Sequence, residues 1–129
     1  MQKLFLLLAS SFGALSVAIG AFGAHKFKSL LMSNGRLDVF ETAVKYQMYH
    51  AIALFLLGIL MLNSAPHKFF TYAGVSFIIG ITIFSGSLYI LSLTNIAKWG
   101  AVTPFGGVFL IVGWVILFLA ILKMQLINV

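Results

Sequence analysis

Apolar residues in this chain gather into four long runs, at residues 4–24, 43–62, 69–93 and 100–122, separated by short polar stretches. The first lies between Lys3 and Lys26, the third carries no charge, and the fourth ends at Lys123. Lys45 stands one turn inside the second, where a long side chain snorkels toward headgroups. Runs of about 20 residues, rising 1.5 Å each, match a hydrocarbon core about 30 Å thick. Backbone groups in lipid have no water to bond, so each run is predicted to be helical. The expected fold is an all-α membrane protein: one domain over residues 1–129, forming a compact bundle of four transmembrane helices.

The polar stretches refine this picture. Ser33-Asn34-Gly35 reads as a turn, and Leu37, Phe40, Val44 and Met48 follow at helical spacing. Residues 27–42 are therefore expected to form an interfacial segment, with a short helix leading into the second span. A solvated loop is the other reading of residues 26–36. The second connection, NSAPHK, has Pro66 suited to a turn or a first helical turn; the third, TNIAKWG, has Trp99 at the boundary. Connections this short make consecutive helices antiparallel neighbours. The first run also resembles a secretory signal, with Ala18-Ile19-Gly20 and Ala21-Phe22-Gly23 as cleavage sites. It outruns the usual apolar core of about 7–15 residues, so retention is expected.

Composition strengthens the membrane reading. Of 129 residues, 62% are hydrophobic and 8% charged, against about 25% charged in soluble domains. A small globule cannot hide that apolar excess, so the surplus faces lipid. Eight Lys and Arg against Asp38 and Glu41 give a net charge of +6. The basic residues are spread out and lack the basic-aromatic interleaving that tracks a phosphate backbone, so lipid headgroups are the expected partner and nucleic acid is not. With no cysteine there is no disulfide or thiolate chemistry. Helix counting puts Lys3, Lys68 and Lys123 on one side, and Lys26, Lys28, Arg36, Lys45 and Lys98 on the other. The five-to-three bias predicts a cytoplasmic-membrane protein with both termini outside, although Lys3 ahead of the first helix argues the other way.

Small residues predict packing seams, because close backbone approach drives helix association in lipid. Ser16, Gly20 and Ala24 are spaced by four in the first span, with Ala9 and Gly13 alongside, which suggests an interior or interface helix. Gly106, Gly113 and Ala120 recur every seven residues in the fourth span, and Ser76 and Gly80 form a pair in the third. These seams fit a monomer, a homo-oligomer or a complex with another membrane protein. In VTPFGG, Thr103 and Pro104 are expected to start the fourth helix, with Thr103 as its cap. A local helix break reaching to Gly107 is the functional alternative.

Chemistry concentrates around the second span. His50 falls about two turns into it, with Tyr46 and Gln47 close by on the helix surface. Glu41 and Lys45 form an i, i+4 pair in the favourable order. Glu41, Lys45, Tyr46, Gln47, Tyr49 and His50 thus form a polar edge, to which Ser85 and Ser87 add small polar groups at mid-depth of the third span. The edge has two readings: a proton-coupled site or polar cavity, or a hydrogen-bonded rivet between helices. His25, at the end of the first span, is expected at the interface. His25, His50 and His67 are too scattered to predict a metal site, and no cofactor is expected. No base–nucleophile pair and no nucleotide-binding loop can be read from the spacing.

GAFGAH at 20–25, FETAVKYQMYHAIALFLLG at 40–58, FSGSLY at 84–89, TPFGG at 103–107 and Gly113-Trp114 together resemble the domain-of-unknown-function 423 family. That family includes bacterial inner-membrane proteins and animal transmembrane protein 256. The resemblance spans nearly the whole chain and implies four transmembrane helices. Lys26 departs from the glycine associated with that position. The resemblance draws attention to Gly20, Gly23, His25, Glu41, Gln47, Tyr49, His50, Ser85, Gly86, Ser87, Pro104 and Gly107, without implying a reaction. Binding, scaffolding or membrane organisation is the expected role. A transporter or channel component, proton-linked through His50 or Glu41, is the alternative; a membrane enzyme has no supporting constellation.

Overall fold

Each apolar run forms an uninterrupted helix in the computed structural model, which describes residues 1–124. Among the described residues the elements are α1 (Gln2–Ala24), α2 (Lys28–Ser33), α3 (Leu37–Leu62), α4 (Lys68–Thr94) and α5 (Lys98–Leu122). Four of them, α1, α3, α4 and α5, are long and apolar enough to cross a membrane, and the short α2 lies between the first and second of these. Packing follows chain order: α1 lies along α3, α3 along α4, and α4 along α5, the last pair sharing the most extensive contact.

The core sits among the four long helices and includes Phe5, Leu54, Leu57, Phe70, Phe77, Ile81 and Leu110. Large apolar side chains such as Leu7, Val17, Ile111, Phe118 and Leu122 point outward instead, as a lipid-facing surface requires. On that surface the hydroxyls of Ser10, Ser11, Thr82 and Thr94 donate to carbonyls four residues back, so none needs water.

Small residues set the helix spacing. A Cβ at Gly106 would run into the backbone of Phe84, and one at Gly113 would lie 2.6 Å from the Phe77 ring. Together with Gly80 against Leu110 and the buried Ala120, they bring α4 and α5 together. Ser76 is buried as well. On the other side, Gly20 meets Val44, Gly23 meets the Phe40 ring, and the buried Ser16 completes the α1–α3 seam. The predicted stripe is shorter than its spacing suggested. Gly13 has no neighbour within 4 Å of a built Cβ and Ala24 is exposed, because α1 runs along the bundle edge rather than through its interior.

Two boundaries differ from expectation. The short helix between the first two spans is α2 alone, ending at Ser33, and residues 37–42 are continuous with the second long helix. Gly35, at φ +63°, ends α2, and Leu37 already begins the helix that crosses. No breaker separates Leu37 from Ala43, and Asp38 in the first turn favours a helix start there. Likewise, Thr103 does not cap α5 and Pro104 does not begin it. Asn95 adopts the left-handed conformation (φ 56°) and closes α4, so the chain has already turned by Ala97 and α5 starts at Lys98. Pro104 lies inside α5, which continues past it without a break through Gly107.

The first connection is tied down. Asn34 Nδ2 donates to the Ser92 carbonyl at 3.0 Å, and Arg36 Nε donates to Asn95 Oδ1 at 3.0 Å. These bonds hold the region after α2 against the end of α4.

Candidate functional site

The buried positions of α3 include Ala43, Gln47, His50, Ala51 and Leu54, a helical face turned toward the other spans. Gln47 is buried on it. Its Nε2 donates to the Phe12 carbonyl of α1 at 2.8 Å, and its Oε1 accepts from the Tyr89 hydroxyl of α4 at 2.8 Å. One amide thus joins three helices. One turn earlier, Ser16 of α1 donates to the Val44 carbonyl at 2.9 Å and Ser85 of α4 to the Ala43 carbonyl at 2.8 Å. Two serines from different neighbours thereby grip successive carbonyls of α3. Serine suits this task because its side chain is short enough for a donor to reach the next backbone.

His50 carries the connection to α5. Its Nε2 lies 3.1 Å from Trp114 Nε1, and its Nδ1 lies 2.8 Å from the Tyr46 carbonyl. An indole nitrogen only donates, so Nε2 accepts and the ring proton resides on Nδ1. The imidazole is neutral in this arrangement. The rings of Tyr46, Phe77 and Trp114 surround it at centroid distances of 6.0, 5.6 and 6.1 Å. Between α4 and α5, the Ser87 and Thr103 hydroxyls are 2.8 Å apart, and Thr103 reaches the Trp99 carbonyl at 3.3 Å.

The polar edge read from the sequence therefore divides. Gln47, His50, Ser85 and Ser87 lie inside the bundle. Tyr46 is partly outside, its ring 4.7 Å from Phe84, and Tyr49 is 59% exposed. Glu41 and Lys45 form an exposed pair at 3.7 Å that shares none of the hydrogen bonds of this interhelical clamp, and His25 is exposed at the end of α1. Helical spacing put these residues on neighbouring faces, but only part of that arc turns inward.

The clamp also contains residues that periodicity did not single out as site residues: Tyr89, Trp114 and, in a role other than capping, Thr103. The available signal was position. A Trp near the middle of a span, unlike one at the boundary, needs a protein partner for its N–H. Among the described residues, no group of three His, Asp or Glu side chains could hold a metal ion. Chemically, the clamp satisfies donors and acceptors at depth; its serine hydroxyls bond to carbonyls or to Thr103 rather than to a base.

Comparison with known proteins agrees with a membrane setting. Residues 19–107 match the family model described as Protein of unknown function (DUF423), a stretch that contains Gln47, His50 and Tyr89. The UPF0382 membrane protein of Staphylococcus haemolyticus is 41% identical over 122 residues, covering 95% of this chain and 98% of its own length. The UPF0382 membrane protein YwdK of Bacillus subtilis is 41% identical with the same coverage, and a Staphylococcus aureus USA300 relative is 43% identical over 122 residues, again 95% and 98%. No solved structure is significantly similar. With four spanning-length helices and relatives named as membrane proteins along nearly its full length, the chain belongs to the DUF423 family of membrane proteins.

Proposed function

We propose that this protein is a rigid module of the bilayer that binds, scaffolds or organises through its outer surfaces, rather than conducting a solute through its interior. The observation that carries this reading is the engagement of Gln47: both ends of its amide are spent on Phe12 and Tyr89. His50 is used in the same way, with both ring nitrogens bonded within the protein. A solute path needs polar groups turned toward water, whereas among the described residues no buried side-chain nitrogen or oxygen lacks a partner. The outer faces of α1 and α5 are left for lipid, a second copy or another membrane protein.

In this reading the protein sits in the cytoplasmic membrane with both chain ends outside. Support comes from Lys26, Lys28, Arg36, Lys45 and Lys98 on one side, against Lys3, Lys68 and Lys123 on the other. Purified protein in liposomes tests the role. Proton and solute flux should equal that of protein-free vesicles, and replacing His50 or Glu41 should not alter it. Flux that disappears in His50→Phe or Glu41→Gln would establish the proton-linked transporter instead.

A further inference from the structure

At the end of the bundle where α1 begins and α3 gives way to α4, a cavity of about 310 Å³ opens between the first residues and the connection. Gln2, Ser64, His67, Lys68 and Thr71 supply polar walls, and Met61 and Phe70 supply apolar ones. His67 accepts the Phe69 N–H on Nδ1 at 3.2 Å, which leaves Nε2 to carry the proton of the neutral ring and donate outward. Beside it, Lys123 Nζ lies 4.9 Å from the centre of the Phe69 ring, and that ring stands edge-on to His67 at 4.8 Å. Three elements thus bring cationic or donor groups to one corner: the α3–α4 connection, the start of α4 and the end of α5.

Charge is unbalanced there. The sequence contains only two acidic side chains, Asp38 and Glu41, and both lie near the start of α3 at the opposite end. Lys68 and Lys123 therefore have no carboxylate side chain to pair with at their own level. In a bilayer, the anion available at that depth is a lipid phosphate.

We propose that this cavity holds the phosphate of an anionic phospholipid headgroup. Lys68 in the cavity wall supplies charge, Lys123 adds to it from outside the lining across the Phe69 ring, His67 and Thr71 supply directed donors, and Met61 and Phe70 flank the first part of the lipid below the headgroup. At an anionic membrane surface each lysine contributes about a fivefold preference for acidic lipid. The inference extends the proposed role by naming a partner, and rests on that reading only for the bilayer setting.

Native mass spectrometry of the full chain, released from bilayers of equal phosphatidylglycerol and phosphatidylcholine, tests it. The wild type should retain phosphatidylglycerol preferentially, and Lys68→Gln/Lys123→Gln should cut that preference by up to about 25-fold, the product of two fivefold contributions. Lys26→Gln/Lys28→Gln, which removes equal charge at the other end, should leave it within about twofold. Thr71→Val should weaken it while the lysines remain. Equal losses from the two lysine pairs would show attraction by overall charge and overturn the site. So would equal retention of both lipids by the wild type, or displacement by millimolar glycerol phosphate, which would mark a soluble-anion site. Liposome flux is measured separately, so failure of the lipid site and failure of the bilayer-module reading give different results.

Discussion

Trp114 Nε1 donates to His50 Nε2 across 3.1 Å, joining α5 to α3 where the two helix backbones barely approach. Elsewhere in the bundle, glycine and alanine seams bring neighbours together by backbone contact, and hydrogen bonds supplement them. Here a side-chain bond spans a wider gap, with an apolar cavity of about 270 Å³ beside it, lined by Ala53, Leu57, Leu60, Trp114 and Leu117. The bond is a strut rather than a seam.

Trp114→Phe keeps most of the ring and removes the donor. It should destabilise the protein by about 1 kcal/mol in reversible unfolding from mixed micelles, in the range found for interhelical bonds in membranes. His50→Phe should couple to it, so that the double variant loses about 0.5–1.5 kcal/mol less than the two single losses combined. Strict additivity would show that the bond contributes nothing.

Gln47 should matter more, because it serves two partners. Gln47→Leu strands the Tyr89 hydroxyl and removes a tie to α1, and should cost about 1–3 kcal/mol. Tyr89→Phe removes only one of these bonds and should cost about 1 kcal/mol or less. If Tyr89→Phe proved as damaging as Gln47→Leu, the bridge to Phe12 would be of no consequence.

Two glycines give opposite expectations for the same substitution. Gly106→Ala forces a methyl group against the Phe84 backbone, so α4 and α5 must separate, at about 1–3 kcal/mol. Gly13→Ala meets open space and should be neutral or stabilising by up to about 1 kcal/mol, through helix propensity alone. Melting of both variants in the same detergent checks the contrast. A large loss at Gly13 in bilayers but not as a detergent monomer would reveal a second protein on that face.

Pro104 offers a separate check on helix continuity. Pro104→Ala adds an N–H whose natural acceptor is the Gly100 carbonyl within an already continuous α5. The variant should fold at wild-type yield and melt no lower. Reduced stability would mean that α5 depends on the shape proline gives it.

The four spans were legible because lipid imposes one overriding rule: continuous apolar runs of membrane length, helical throughout. Finer features followed local geometry that spacing does not encode. Leu37 and Ala43 fall in different segments of the hydropathy pattern because the polar Asp38, Glu41 and Thr42 lie between them, yet nothing there interrupts the helix. Thr103-Pro104 carried a start signal, but Asn95 had already made the turn. In the clamp, Gln47 and His50 stood out as polar groups at depth, whereas Tyr89 and Trp114 look apolar until one asks where an O–H or N–H goes. Which arc of α3 faces inward was also hidden, since Tyr46 and Tyr49 lie within about a turn of His50, yet Tyr46 is partly exposed and Tyr49 mostly so.

The bonds at Gln47 also bear on biogenesis. A ribosome delivers α1 and α3 before α4 has been synthesised, so until α4 follows, the oxygen of Gln47 has no Tyr89 hydroxyl to accept from. His50 waits longer, until Trp114 emerges with the last helix. Insertion and completion are therefore separate events: the early half enters the lipid in polar debt, and the late hairpin settles it.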